Sequence, residues 1–424
     1  MGGRPNPSVV EEKKKAITVS RERFVVSHPT GNTFVRALLD QLSNQNQLEK
    51  FFTTIGAGDG ANSSISAFCG KKRQYDLTDK LISRQWVPEV ARLLSKGNQE
   101  KKRRKADLSY SALDHKVSLA LSNHSSQILH AYEDGCSSSF ARAKQLGMQC
   151  SYELPIAHWA TVRRLLAEEA ERYPQWEPTL ESTREPEEKL FRKEEELRLA
   201  DRITCPSQFV FDSIPLEIRQ KKPCQISSFG SPTVEPVDFE HSIQNRTFKL
   251  LFVGSMGQRK GLADLFETMK LLKKERISLS ILGQTSMPMK FYRKQFSEFE
   301  YFPPCSNQKV REIMKMHDAL VLPSIVEGRA LVQHEALSCG LPIIVTPNAG
   351  GEDLVEEGIT GHLVPIRSPE KIAEATLTMI ESKNHKEEIR QLCQKKVKQY
   401  TWTSYAQNII DFNLSSPPKG LEVA

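Results

Sequence analysis

Residues 324–342 read SIVEGRALVQHEALSCGLP and lie between two short apolar runs, 319–323 and 343–346. Both runs have the length and aliphatic character of buried strands, and 330–338 between them has the composition of a helix. A strand, helix, strand succession is a crossover, which sets the two strands parallel. Ligands of an open parallel sheet bind beyond the carboxyl ends of its strands, where helix N-termini offer unpaired N–H groups to phosphate oxygens. Gly328, Arg329, Ala330 and Leu331 are expected to supply those donors. Glu327 in the loop and Glu335 on the helix put two carboxylates beside the phosphate site. That placement is electrostatically costly, so each should have a task, and ring hydroxyls of a sugar and a ribose are good donors to carboxylates.

Working outward, strand and helix patterns alternate in both directions. Toward the N-terminus of this half lie strands at 249–254 and 278–282 and helices at 261–274 and 308–316. The first half of the chain shows a strand at 24–27, turn residues at 28–32, a helix at 33–42, and strands at 51–55, 127–132, 148–154 and 202–205. Helices at 138–146, 159–170 and 186–200 intervene. Such alternation implies parallel sheets covered on both faces. The stretch 225–246 carries Ser, Gly and Pro with neither period and separates the halves.

A chain of 424 residues exceeds one ordinary core, so two domains are expected. With 38% hydrophobic and 26% charged residues it is a folded globular chain rather than a disordered one. No apolar run approaches the roughly 18 residues that would span a bilayer, and the polar N-terminus lacks the apolar centre of a signal peptide, so a cytoplasmic location is expected. The eight cysteines stand singly, with no spacing suited to zinc or a disulfide framework. The formal charge of +7 is concentrated at 71–73 (KKR), 101–105 (KKRRK), and Lys395, Lys396 and Lys398. These runs read as solvated faces or as a peripheral contact with an anionic membrane surface or phosphorylated lipid; no nucleic-acid partner is expected.

A second motif, residues 250–264 (LLFVGSMGQRKGLAD), runs from a buried strand through a glycine-bearing loop to a helix, with Arg259 and Lys260 at the mouth. A third, residues 349–365 (AGGEDLVEEGITGHLVP), follows the next strand. Together these resemble glycosyltransferase family 4, a retaining GT-B family marked by E-x7-E after a Pro-Ser strand end and before Gly-x-Pro, here Pro323, Ser324, Glu327, Glu335, Gly340 and Pro342. The resemblance implies an α/β fold of two facing Rossmann-like domains with parallel sheets and a cleft between them. It implies a nucleotide-diphosphate sugar as donor, no cofactor and no metal, with Glu327, Arg259 and Lys260 catalytic. Glu335, Gly328, Arg329, Ala330, Leu331, Gly254 and Gly283 would bind the donor.

The resemblance has departures. Arg329 and Ala330 stand where an aromatic residue and glycine are usual, and Ser255 stands where the family has an arginine whose role Arg259 would take. In the first half, His28, Gly31 and Asn32 occupy the place of a glycine loop beneath the donor. His130 and Glu133 match two members of a His-x-His-Glu pattern in which Tyr132 replaces the second histidine. These six form an acceptor or donor loop in expectation. The expected organisation is an arm at 1–20, an acceptor-side domain at 21–226, a linker at 227–246, a donor domain at 247–395, and at 396–424 a helix bracing the first domain, then a tail. The acceptor would be a carbohydrate, lipid-linked or small-molecule hydroxyl. A GT-B epimerase and a non-catalytic nucleotide-sugar-binding subunit are the competing functions.

Overall fold

The computed structural model describes residues 22–70, 73–95, 99–123, 126–180, 184–234, 247–381 and 386–416. The expected arm at 1–20, most of the expected linker (235–246), Lys71, Lys72 and the tail from 417 lie outside the described residues.

The N-terminal half contains β1 (Phe24–Ser27), β2 (Leu48–Thr53), β3 (Ala57–Asp59), β4 (Gln74–Thr78), β5 (Ile82–Arg84), β6 (Ile128–Tyr132), β7 (Gln149–Glu153), β8 (Arg202–Cys205) and β9 (Cys224–Ile226). The C-terminal half contains β10 (Phe248–Val253), β11 (Ile277–Leu282), β12 (Phe299–Phe302), β13 (Ala319–Leu322), β14 (Ile343–Val345) and β15 (Gly361–Leu363). The first half forms a seven-stranded sheet in the order β5-β2-β1-β6-β7-β8-β9, with β3 and β4 as a separate ribbon. The second forms a six-stranded sheet in the order β12-β11-β10-β13-β14-β15. Their pairings are parallel, as in β10 with β11 and β1 with β6. The expected two Rossmann-like domains are therefore present.

Parallel strands need both faces covered, and their sequences show it: Phe24, Val25 and Val26 of β1 and Ala319 to Leu322 of β13 are fully buried. The second domain has one continuous core built on Leu250, Phe252, Leu320 and Ile344. The first has a separate core on each face of its sheet. All eight cysteines are unpaired thiols, with Cys305 exposed. Among the described residues no helix is long and apolar enough to cross a membrane.

Two segments cross between the domains. The helix Trp402–Leu414 returns to the first domain, where Tyr405 Oη donates to both carboxylate oxygens of Glu153 at 2.7 and 2.8 Å. In the other direction, the helix Trp159–Arg172 and the turn Pro174–Thr179 belong to the first half by sequence but pack on the second domain. Trp176, 1% exposed, sits in its core against Phe266, Phe291 and Tyr292. These two elements of the expected 21–226 region thus contribute to the core of the second domain, since burying a tryptophan among aromatic neighbours outweighs chain order.

Candidate functional site

In each sheet the strand order reverses once, between β10 and β13 in the second domain and between β1 and β6 in the first. Loops leaving the carboxyl ends of two strands at such a reversal diverge to opposite sides and leave a crevice between them. β10 runs through Gly254 into the turn Gln258–Lys260, and β13 runs through Pro323 to Arg329. Arg259, Lys260 and Glu327 thus meet because β10 and β13 are neighbours.

Glu327 Oε1 lies 2.5 Å from Lys260 Nζ and 2.9 Å from Arg259 Nη1, with the three side chains 11%, 12% and 29% exposed. The arginine is fixed further by its own loop partner: its Nη1 donates to the Val326 carbonyl at 3.0 Å, and its carbonyl accepts from Ile325 N at 2.9 Å. Burial pulls the Lys260 ammonium below its usual pKa; Glu327 opposes this and Arg259 adds to it. The cluster therefore holds two cations against one carboxylate, an excess of positive charge in a mostly buried site.

The turn bearing the cations is braced by a residue the sequence reading passed over. Gln258 is fully buried; its Nε2 donates to Glu169 Oε2 at 2.6 Å and to Asp264 Oδ2 at 2.9 Å, and its Oε1 accepts from Ala263 N at 2.8 Å. Glu169 lies on the helix Trp159–Arg172, so a segment from the first half orients the clamp. The partners are 89 residues apart in sequence, and no local pattern announces them.

Gly328 is one of the points where the domains touch. A Cβ there would sit 1.7 Å from the Pro155 carbonyl oxygen, and its own carbonyl accepts from Ser207 Oγ at 2.6 Å. Only glycine permits that approach. Ser207 was legible as an N-cap, since it precedes the helix Gln208–Ser213 and accepts from Val210 N; its reach across the cleft was not.

Other expected donor contacts are placed differently. The Ala330 amide donates to the Ala349 carbonyl at 3.1 Å, so it is spent within the protein, because the helix Leu331–Ser338 starts against the turn Pro347–Ala349. Arg329 is buried and turned from the clamp: its Nη1 and Nη2 pair with Asp353 Oδ1 and Oδ2 at 2.8 and 3.1 Å, and its Nε faces His334 Nε2 at 2.8 Å. A buried guanidinium needs a carboxylate, and Asp353 is the one within reach. A Cβ on Gly254 would meet the Lys260 stem at 3.4 Å from Cε, an ordinary contact, whereas a Cβ on Gly283 would sit 1.8 Å from the Gly254 carbonyl oxygen. Gly283 thus packs strand ends together. Burial raises the Glu335 pKa while Arg311 lowers it; among the described residues no hydrogen bond to its carboxylate enters that balance.

In the first domain, His28, His130 and Tyr132 come together. The His28 and His130 rings meet Tyr132 edge-on, with centroids at 4.6 and 5.0 Å. The group is interior rather than cleft-lining: His130 Nδ1 bonds Ser151 Oγ at 2.9 Å, and His28 Nδ1 is engaged by Thr30. Burial holds His28 neutral with its pKa lowered to about 3. Glu133 does not join them. It faces Lys193 Nζ at 3.8 Å, because successive residues of an extended chain point to opposite sides. Gly31 packs on Tyr75, and the exposed Asn32 precedes the helix Thr33–Asn44 with its Oδ1 accepting from Thr30 Oγ1. Among the described residues no group of three or more His, Cys, Asp or Glu is placed to hold a metal ion.

Residues 234–396 match the family model described as glycosyl transferases group 1. The chain is 32% identical over 136 residues to a D-inositol 3-phosphate glycosyltransferase of Pseudarthrobacter chlorophenolicus, a stretch that makes up 30% of this chain and 32% of that one. It therefore spans about a third of the length of that curated relative. Among solved structures it resembles sucrose-phosphate synthase from Thermosynechococcus elongatus, with a TM-score of 0.62 at 15% identity over 93% of this chain and 98% of that one. It also resembles HepE of Anabaena in complex with UDP and glucose, with a TM-score of 0.57 at 13% identity over 93% of this chain and 100% of that one. These likenesses over nearly the whole chain establish the GT-B fold.

Proposed function

With its C-terminal domain in the group 1 glycosyltransferase superfamily, we propose that this chain transfers a sugar, with retention and without a metal, from a nucleotide-diphosphate sugar to an acceptor hydroxyl. The acceptor is a carbohydrate, a lipid-linked saccharide or a small molecule, and the protein works in the cytoplasm with a peripheral membrane contact through its basic residues. The observation that carries the reading is the meeting of Arg259, Lys260 and Glu327 at the strand reversal of the second domain, facing the first.

The barrier to such a transfer falls when charge on the departing diphosphate is stabilised by groups already in place. The turn that carries Arg259 and Lys260 is held by Val326 and Gln258, so the backbone of the clamp stays in place when phosphate arrives and Glu327 is the group that moves. Glu327, displaced from the cations by the diphosphate, is free to accept from a hydroxyl of the donor sugar. Glu335 accepts from the ribose. The N-terminal loops at Pro155 and Ser207 close over Gly328 and exclude water.

The test is a panel of UDP-, GDP- and ADP-sugars incubated with the full chain and extracted acceptors, with and without EDTA, read by NMR of the product's anomeric centre. Release of one nucleoside diphosphate with retained configuration and no effect of EDTA is the expected result. Loss of activity in EDTA, inversion, or a changed nucleotide sugar appearing without acceptor would each replace this reading.

A further inference from the structure

The helix Trp86–Leu93 turns apolar residues outward as well as inward. Its buried residue is Glu89, fully covered and held by Arg73 Nη2 at 3.0 Å, Arg92 Nη2 at 2.7 Å and Ser109 Oγ at 3.0 Å. Val90 packs inward on Ile55, Ala57 and Cys69, whereas other apolar residues face the solvent: Val87 is 80% exposed and Leu94, just past the helix end, 77%. Val87, Ala91 and Leu94 are spaced i, i+4, i+7 and so form one row. Phe68, 54% exposed, stacks on Trp86 with centroids 5.9 Å apart and widens the apolar surface.

The basic run 101–105 lies beside that row. It sits on the helix Gln99–Ala120, and Lys105 Nζ donates to the Ala91 carbonyl at 3.3 Å. Lys101, Arg104, Lys105 and Leu108 share one face of this second helix by their spacing, and Leu108 is 65% exposed. Arg104 pairs with Glu100 at 3.0 Å, but both side chains are more than two-thirds exposed, so water and salt screen the pair.

A helix that serves stability alone turns its apolar side inward, and a contiguous exposed apolar surface marks an interaction site. We propose that this face docks on an anionic phospholipid bilayer, with Val87, Leu94 and Phe68 entering at headgroup level and Lys101, Arg104 and Lys105 meeting lipid phosphates. Charge complementarity selects the partner: cations of one sign flanking an aliphatic row match negative headgroups above acyl chains. A nucleic acid would take the cations and leave the aliphatic row in water. The inference rests on the peripheral-contact reading and adds the inserted apolar row; it is separate from the sugar transfer.

The test is sedimentation of the full chain with vesicles of phosphatidylcholine alone or mixed with phosphatidylglycerol. It compares the wild type, V87E/L94E and K101E/R104E/K105E, each checked for unchanged Tm and monomer size. The wild type should pellet with the anionic vesicles. The triple variant should lose roughly fivefold or more per charge, and V87E/L94E roughly tenfold even at low salt. Wild-type pelleting of V87E/L94E alongside loss in the triple variant would overturn the inserted row while leaving a purely electrostatic contact. Equal binding to neutral vesicles, no binding to either, or a wild-type dimer that V87E/L94E dissolves would overturn docking on anionic lipid.

Discussion

Replacing Glu327 with glutamine should tighten the binding of free nucleoside diphosphate while slowing transfer. The substitution keeps the shape of the side chain and removes its charge. One carboxylate oxygen faces both cations, at 2.5 and 2.9 Å. A unit-charge pair at about 4 Å is worth about 4 kcal/mol at the effective dielectric of a protein surface. An arriving diphosphate must therefore displace a strong internal competitor, and most of its own attraction to Arg259 and Lys260 is spent on replacing Glu327. Without that competitor, a net gain of about 1.4 kcal/mol, or roughly tenfold in Kd, is a conservative expectation after desolvation is charged against it. The same change leaves two neighbouring cations unbalanced, and the Lys260 ammonium, already disfavoured by burial, loses its supporting charge. The ligand-free variant should be less stable by about 2 kcal/mol, below the usual cost of breaking a fully buried pair because Arg259 is partly exposed. Calorimetric titration with UDP, GDP and ADP, together with thermal unfolding with and without the nucleotide that binds, reads both effects. Weaker or unchanged nucleotide binding in the variant would refute the idea that Glu327 competes with phosphate for the clamp.

Glu335→Ala should weaken nucleotide-sugar binding by about 1.5 to 3 kcal/mol, the value of hydrogen bonds to a charged acceptor, with little change in Tm, since burial already disfavours this carboxylate; equal donor Kd values would remove it from the site. In Gly328→Ala, a Cβ 1.7 Å from the Pro155 carbonyl oxygen should cost about 1–3 kcal/mol and part the domains, seen as a larger radius of gyration in solution scattering and slower transfer. An unchanged radius and rate would mean that the loop yields without consequence. His28 has its pKa lowered from 6.5 to about 3 by burial, so the unfolded chain binds its proton first and stability falls as pH drops from 6.5 toward 3. Between pH 6.5 and 4 this residue should account for about 3 kcal/mol. Denaturant unfolding of the wild type and His28→Gln across that range should show a shallower slope in the variant, and parallel curves would place the acid sensitivity elsewhere.

The local chemistry of the donor side was legible because its signals are local. The strand at Ala319–Leu322, the loop with Glu327 and the helix Leu331–Ser338 follow one another within a few residues, and a cation pair after a glycine-bearing loop is readable from Gly254 to Lys260. The first domain was less so. Its edge strands Ile82–Arg84 and Cys224–Ile226 are short and only partly buried, with Ser83, Arg84 and Gln225 in place of an apolar run, and both were missed. The strand Phe299–Phe302 was missed for a similar reason.

By itself, then, the sequence determined the alternation of strands and helices, hence parallel sheets in two domains, and the residue types able to grip a diphosphate, because periodicity and turn chemistry are properties of neighbouring residues. Tertiary structure alone decided which of those residues meet. Strand order brings Lys260 onto Glu327 across 67 positions of chain, sends Arg329 to Asp353 instead of toward the clamp, and spends the Ala330 amide on Ala349. Burial decides each case: a charge or amide removed from water takes the nearest partner in space, and distance along the chain does not enter.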